Sequence, residues 1–202
     1  MTRSTFVRAL WGDVLLRRSR TKTLADVLAC SRHDRQPTPL RLFCFGRANR
    51  WLLRAAGCRP TLLHRTGVVN WFARPRRRAG PFANWGVSIW RHKLEAIAAA
   101  LEDADEVVWL DLDCRLTKPL PDDFWDRLRA GSRLQASLRT YQRRKCHWRM
   151  GNGAHLVPAG AMVYVRGRDT IQELLALQAM NPLWDDEQTV AALTDVWSGG
   201  WQ

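Results

Sequence analysis

Lysine, long hydrophobic runs and acidic side chains in the first half are all scarce in this sequence of 202 residues. No stretch approaches the roughly 18 apolar residues that a membrane-spanning helix needs, so we expect no transmembrane segment. The five cysteines include no CxxC pair and no Cys/His cluster with zinc-finger spacing. An odd number of cysteines without a signal peptide indicates reduced thiols, and we therefore expect a soluble, cytoplasmic protein.

The scarcity of acidic residues makes the charge strongly one-sided. Residues 1–100 contain 20 basic and 4 acidic side chains, residues 101–202 contain 12 and 15, and the net charge is +13. Of the 32 basic residues 28 are arginine, whose planar guanidinium suits phosphate groups. Such a surface attracts polyanions, although a solvated basic surface without a partner is the alternative interpretation.

The sequence does contain an alternation of apolar runs and helical patterns. Apolar residues recur at helical spacing over residues 4–30, which predicts a basic helical N-terminal segment within residues 1–36. Residues 37–202 are predicted to form a single α/β domain with a mostly parallel central sheet. The predicted strands are Leu40–Phe45, Thr61–His64, Val107–Leu112, Leu134–Leu138 and Ala161–Val165. The predicted helices are Ala48–Ala56, Trp90–Leu101, Asp123–Leu128, Thr170–Met180 and Asp186–Leu193, and residues 65–86 are predicted to be a long basic loop.

The most informative segment is EVVWLDLDC, residues 106–114, where an apolar strand leads directly into two aspartates. In a continuing strand, residues i and i+2 point to the same side, so Asp111 and Asp113 would converge on one ion. Carboxylate oxygens suit Mg²⁺ or Mn²⁺, which bind a few carboxylates together with substrate phosphates. We therefore predict a divalent metal site at Asp111 and Asp113; the start of an ordinary loop is the alternative.

In this segment the chain resembles glycosyltransferases of the GT-A fold, whose Asp-x-Asp motif ends a central strand written much like VVWLDLD. The resemblance covers roughly residues 38–195. It includes a cationic helix before the motif (WRHKL, residues 90–94), a glycine-containing strand (PAGAMVY, residues 158–164) and an acidic pair that opens a helix (DDEQ, residues 185–188). It implies a GT-A-like, Rossmann-like fold and a glycosyltransferase that uses Mn²⁺ or Mg²⁺ and a nucleotide-sugar donor, with UDP-sugars as the first choice.

The resemblance also implies which residues bind the metal and the donor. Asp113 would ligate the metal, and Asp111 would bind the metal or the donor ribose. Arg91 and Lys93 would face the donor diphosphate, where negative charge builds as the sugar–phosphate bond breaks. Gly160 is the further donor-binding candidate.

The candidate catalytic residues, Asp186 and Glu187, open the last predicted helix. By the resemblance one of them would lie across the site from the ion, where a carboxylate near the acceptor hydroxyl can take its proton. An acidic first turn that stabilises the helix dipole is the alternative. The chain also departs from many GT-A enzymes, which supply a late metal ligand, often histidine, because no histidine follows Gln188.

The acceptor is inferred from the charge, because a donor diphosphate needs only two or three of the many cations in residues 1–100. We predict a polyanionic acceptor, specifically DNA that carries a hydroxylated base of the 5-hydroxymethylcytosine type. An enzyme must usually flip such a base out of the duplex. The candidate phosphate-binding residues are Arg76, Arg77, Arg78, Arg143 and Arg144.

Three other functions would use the same features. A transferase for lipid-linked or cell-surface saccharides would place the basic face against an anionic membrane surface. A metal-dependent nuclease could use Asp111 and Asp113, but the helix with Lys93 would then have no purpose. A non-catalytic nucleic-acid-binding module with a degenerate transferase fold is disfavoured by the intact Asp111, Asp113 and Glu187.

Overall fold

The computed structural model describes residues 2–11, 20–33, 38–64, 88–116, 119–140, 156–181 and 186–193. Within these ranges the strands are β1 Ser4–Leu10, β2 Leu40–Phe45, β3 Thr61–His64, β4 Glu106–Leu110, β5 Leu134–Thr140 and β6 Leu156–Arg166. The helices are α1 Arg20–His33, α2 Arg47–Ala55, α3 Ser88–Ala100, α4 Phe124–Ala130, α5 Arg168–Met180 and α6 Asp186–Leu193. None of these helices has the length and apolar character that crossing a membrane requires.

The described strands form one sheet in the order β3-β2-β1-β4-β6-β5. Strands β3, β2, β1 and β4 are parallel, whereas β6 runs antiparallel to both β4 and β5. The order β3-β2-β1-β4 is that of the first four strands of a doubly wound, Rossmann-like sheet. The predicted α/β fold class with a mostly parallel central sheet is confirmed.

Helices cover both faces of the sheet. On one face Val7 and Ala9 of β1 share a cluster of buried side chains with α3, α5 and α6. On the other face Leu10 packs with α1 and α2, and Phe6 packs with α4. Burial on both faces explains why the central strands are almost continuously apolar.

The first seven residues of the predicted N-terminal helix are a strand, so that part of the prediction is wrong. Strand β1 lies between β2 and β4 and pairs with both, and the Phe6 N–H donates to the Pro39 carbonyl at 2.9 Å. A short apolar run that is buried on both faces cannot be distinguished from a helical pattern by spacing. The later part of the prediction is confirmed by helix α1, Arg20–His33.

The other predicted strands and helices are confirmed, with ends shifted by a few residues. The shift that matters for function is in β4, which ends at Leu110 rather than at Leu112. Helix α2 is followed by Gly57 with φ of 85°, the left-handed conformation expected of a glycine after a helix. The predicted basic loop over residues 65–86 lies outside the described residues.

Candidate active site at the carboxyl edge of the sheet

The parallel strands end at one edge of the sheet, and this edge contains the predicted metal site. From β1 the chain moves to β2 on one side, and it later returns to β4 on the other side of β1. In α/β sheets, ligands bind outside the carboxyl ends of strands at such a reversal. Trp11 follows β1 and Asp111 follows β4, so both lie at this position.

Asp111 is held by two donors that share one of its oxygens. The Trp109 Nε1–H donates to Asp111 Oδ1 at 2.7 Å, and Lys93 Nζ lies 3.1 Å from the same oxygen. Lys93 is 2% exposed and Trp109 is fully buried, whereas the Asp111 side chain is 35% exposed. The carboxylate is therefore oriented from the protein side while part of it stays accessible to a ligand.

An aromatic contact extends this arrangement to β1 and β2. The Trp11 and Trp109 rings stack with their centroids 5.8 Å apart, and the Phe45 ring meets Trp11 edge-on at 6.5 Å. Lys93 Nζ also lies 5.2 Å from the centroid of the Trp109 ring. Trp109 thus connects the carboxylate to the rigid interior of the sheet, a role for its indole N–H that the sequence analysis missed.

Asp113 lies in a turn, so the assumption of a continuing strand is corrected. Leu112 and Asp113 form the turn, and the Cys114 N–H donates to the Asp111 carbonyl at 2.9 Å. Burial and the negative charges of Asp111 and Asp113 raise the pKa of the Cys114 thiol. Both carboxylates therefore act on the same thiol, and Cys114 stays protonated at neutral pH.

Arg8 is a site residue that the sequence analysis assigned to a helix. It lies in β1, is 1% exposed, and its Nη1 donates to the Leu112 carbonyl at 3.3 Å. This hydrogen bond connects β1 to the turn between the two aspartates, because Leu112 lies between Asp111 and Asp113. An arginine inside an otherwise apolar run of a buried strand is the sequence signal that could have identified it.

Helix α3 contributes a second group of polar side chains to the same edge. His92 Nδ1 lies 2.9 Å from Glu95 Oε2, and His64 Nε2, at the end of β3, lies 3.4 Å from the same oxygen. The Arg91 Nε–H donates to the other oxygen of Glu95 at 3.2 Å. Within the described residues, Arg91 is therefore paired with Glu95, and Lys93 with Asp111. Their contact with a donor diphosphate stays a prediction.

The protonation states of this group follow from its burial and hydrogen bonds. Burial lowers the pKa of His92, against the opposing effect of the Glu95 carboxylate. Burial raises the pKa of Glu95, but its hydrogen bonds with His92 and Arg91 and the neighbouring imidazoles of His92 and His64 have a larger opposing effect, so the pKa of Glu95 is lowered overall. At neutral pH His92 is therefore neutral and Glu95 is ionised.

The remaining predicted site residues are only partly described. Gly160 lies in β6, and Asp186 and Glu187 begin α6, although the positions of their side chains lie outside the described residues. The predicted phosphate-binding arginines 76–78, 143 and 144 also lie outside them. Their roles stay predictions.

The aspartates suit a hard divalent cation. In the described part of the chain, no third histidine, cysteine or acidic residue joins Asp111 and Asp113 in a ligand group. Two carboxylates at most is the usual contribution of a protein to Mg²⁺, which takes its other ligands from water and substrate phosphates. Asp111 and Asp113 therefore suit an ion such as Mg²⁺ or Mn²⁺, which takes its remaining ligands from substrate and water. They suit an ion that is enclosed entirely by protein ligands less well.

Comparisons with known proteins add little at the level of sequence. No protein-family model and no curated protein matches this chain. Among solved structures, it is similar to CMP:2-keto-3-deoxy-manno-octonic acid synthetase complexed with CTP. The two are 11% identical, the match covers 96% of this chain and 86% of the other, and the TM-score is 0.45. At this level of likeness, a similar chain path does not indicate a shared substrate.

Proposed function

We propose that this chain is a metal-dependent glycosyltransferase that binds a nucleotide-sugar, with UDP-sugars as the first choice, at Asp111 and Asp113. The observation that carries the proposal is the fixed Asp111 carboxylate at the strand-order reversal. One oxygen of this carboxylate contacts the buried side chains of Lys93 and Trp109. A single residue, Leu112, separates Asp111 from the exposed Asp113. Because a strand end of this kind is where α/β sheets bind ligands, paired carboxylates here favour a bound metal–phosphate group.

In this proposal, buried side chains orient the Asp111 carboxylate and the turn that carries Asp113. The Lys93 ammonium pairs with the Asp111 carboxylate, and the Trp109 N–H fixes which carboxylate oxygen faces the protein. Arg8 holds the Leu112 carbonyl and so fixes the turn that presents Asp113. Such preorganisation reduces the reorganisation needed when charge develops on the departing group.

Mn²⁺ or Mg²⁺ bound by Asp111 and Asp113 would supply positive charge to the donor diphosphate. Asp186 and Glu187, at the start of α6, are the proposed carboxylates for the acceptor hydroxyl. If one of them removes the proton of that hydroxyl, its replacement by the amide slows transfer to the acceptor more than hydrolysis of the donor.

The test is binding and hydrolysis of a panel of nucleotide-sugars with and without Mn²⁺. We expect the wild type to bind one nucleotide-sugar more tightly with Mn²⁺, and Asp113→Asn to lose this dependence without loss of fold. Asp122→Asn changes another exposed aspartate after β4 and serves as the matched control. Metal-independent binding, or equal behaviour of Asp113→Asn and Asp122→Asn, would contradict the proposal.

The proposed acceptor is a polyanion, specifically DNA with a hydroxylated base. The described surface that supports this is the outer face of α2, where Arg47, Arg50 and Arg54 are exposed around Trp51, whose side chain is 72% exposed. Arginines can contact backbone phosphates while an exposed tryptophan stacks on an unpaired base.

A gel-shift titration of hydroxymethylated duplex at low and high salt tests the acceptor. The double change Arg50→Ala, Arg54→Ala should flatten the dependence of affinity on salt by up to about two units, one for each lost phosphate contact. The control double change Arg127→Ala, Arg133→Ala removes two exposed arginines elsewhere and should leave the slope unchanged. Strong binding to anionic vesicles without duplex binding would replace DNA by a membrane-associated acceptor and would leave the donor site unaffected.

A further inference from the structure

The three side chains His64, His92 and Glu95 form a potential metal-ligand group that the proposed donor site does not use. One ligand atom from each lies within 4.8 Å of the others. Among the described residues, this is the group in which three histidine, cysteine or acidic side chains come close enough to hold one ion. His64 ends β3, whereas His92 and Glu95 lie one turn apart on α3. Residues far apart in sequence thus meet where the sheet edge contacts the helix.

We propose that His64, His92 and Glu95 bind one zinc ion, with a water molecule as the fourth ligand. Two histidines and one glutamate are an established zinc ligand set. In a tetrahedral site with zinc–ligand distances near 2.0–2.1 Å, neighbouring ligand atoms lie about 3.3 Å apart. Glu95 Oε2 lies 2.9 Å from His92 Nδ1 and 3.4 Å from His64 Nε2, so the two histidines approach it at nearly the required spacing.

The surroundings provide the support that a metal site needs. Arg91 donates to Glu95 Oε1, which leaves Oε2 as the oxygen that both histidines share. A hydrogen bond to the second oxygen of a ligating carboxylate is a typical outer-shell contact. The fully buried Phe45 ring lies 4.1 Å from His92 and 5.4 Å from His64, measured between ring centroids, and fixes both rings from the side of the sheet.

Hydrogen bonding by protein groups does not fully satisfy His92. Its side chain is 10% exposed, and Nε2 has no hydrogen-bond partner among the described residues. If Nδ1–H donates to Glu95, the buried lone pair of Nε2 is unpaired; if Nε2 carries the proton, the Nδ1 lone pair faces a carboxylate. A cation bound by the ring and the carboxylate removes the repulsion of the second case, because both groups then donate electron pairs to it.

A zinc ion here would cross-link β3 to α3. His92 is followed directly by Lys93, which holds Asp111, so the ion would also restrain the helix turn that supports the donor site. This site is chemically distinct from Asp111 and Asp113, because imidazole ligands select zinc whereas a carboxylate pair suits Mg²⁺ or Mn²⁺. The two sites can therefore be tested separately.

The experiment is titration of the chelator-treated full chain with Co²⁺, a spectroscopic substitute for zinc, followed by displacement with Zn²⁺. We expect one Co²⁺ per chain with the intense visible absorption of a tetrahedral ion and no near-ultraviolet thiolate band. Zn²⁺ should remove this absorption. His64→Ala and Glu95→Gln should each weaken binding by about tenfold or more, because loss of an outer-shell partner already costs about that much. Glu102→Gln, an exposed glutamate after α3, is the matched control and should bind as the wild type does.

His64 is half exposed, so His64→Ala should fold normally, and circular dichroism provides the check. The proposal is overturned if the wild type shows no tetrahedral Co²⁺ spectrum, or if His64→Ala and Glu95→Gln keep it. Binding that is lost in Asp113→Asn but kept in His64→Ala would assign the ion to the donor site and also overturn it.

Discussion

Lys93 and Trp109 determine what Asp111 can do, although neither belongs to the Asp-x-Asp motif. Lys93 lies on α3 and Trp109 on β4, and their donor atoms meet on one carboxylate oxygen. The motif could be predicted from the sequence because its residues are adjacent. The Lys93–Asp111 pair could not be derived from spacing, because it depends on how α3 packs on the sheet.

Replacing Lys93 by methionine tests this pair at the level of one residue. Lys93→Met keeps most of the side-chain volume but leaves Asp111 without its cation. We expect the free energy of unfolding to fall by roughly 2 kcal/mol, less than the 3–5 kcal/mol typical of a broken buried pair because Asp111 is a third exposed. Donor binding should weaken as well.

Urea unfolding monitored by tryptophan fluorescence measures the stability change. The control is Arg91→Met, because Arg91 is 42% exposed and its pair with Glu95 is a surface contact, worth about 1 kcal/mol or less. Equal stability of Lys93→Met and the wild type would show that the Lys93–Asp111 pair does not stabilise the fold.

Among the elements, β1 shows where sequence reasoning was insufficient. From Phe6 to Leu10 its residues are buried on both faces, so the polar positions that would mark a strand's period of two are missing there, apart from Arg8. Strands β2 and β4 were predicted because prolines, glycines or charged residues bound each run. The antiparallel direction of β6 was not predicted, because no local pattern specifies which way a strand runs.

A buried network connects four elements at the opposite edge of the sheet. Glu106 of β4 is fully buried and accepts hydrogen bonds from Arg129 of α4 at 2.6 Å, from the Tyr164 hydroxyl of β6 at 2.9 Å, and from Ser4 of β1. Burial and the hydrogen bond to the Glu106 carboxylate raise the pKa of Tyr164, so its hydroxyl stays protonated and donates. The network fixes α4 against three strands.

We predict that Arg129→Ala is among the most destabilising changes in the chain. It removes the cation that pairs with Glu106 and leaves a buried carboxylate, which costs about 3 kcal/mol or more. Tyr164→Phe removes one hydrogen bond to a charged group and should cost about 1.5–3 kcal/mol. Arg127→Ala, which breaks an exposed pair with Asp123, is the control and should cost about 0.5 kcal/mol or less.

Thermal or denaturant unfolding ranks the three variants. The expected order of stability loss is Arg129→Ala, then Tyr164→Phe, then Arg127→Ala. If Arg129→Ala is as mild as Arg127→Ala, the Glu106 network does not hold these elements together.

The whole molecule should lose stability in mild acid because of buried histidine. Burial, with a smaller effect of the Arg8 charge, lowers the pKa of His33 from 6.5 to about 4. Between these two values the unfolded chain binds a proton that the folded chain does not, so the free energy of unfolding falls as the pH falls from about 6.5 to 4. The loss from His33 is about 3 kcal/mol when complete. Above pH 6.5 it contributes no pH dependence.

The variant His33→Leu removes the titrating imidazole and keeps an apolar side chain next to Phe6. In the wild type the centroids of the His33 and Phe6 rings lie 5.1 Å apart. Urea unfolding at several pH values should show a shallower dependence between pH 4 and 6.5 than in the wild type. A smaller slope should remain, because burial also lowers the pKa of His92. An unchanged slope in His33→Leu would contradict the assignment.

For the whole molecule, the sequence predicted the fold class and the place of Asp111 at a strand end better than it predicted the contacts between elements. Asp111 and Asp113 were selected because motif and strand end coincide, and their binding of a metal stays a prediction. The His64–His92–Glu95 group could not be predicted, because its ligands come from β3 and α3 and no short stretch of sequence contains all three. Tertiary packing brings such groups together, and only the structure shows it.

Diffraction from crystals grown with Mn²⁺ and UDP, recorded at the manganese absorption edge, tests the metal–donor site most directly. We predict an anomalous peak within coordination distance of the Asp111 and Asp113 carboxylates, with the diphosphate of UDP as its other ligand. A manganese peak at His64, His92 and Glu95 with none at the aspartates, or UDP bound away from the carboxyl ends of β1 and β4, would contradict the proposed donor site.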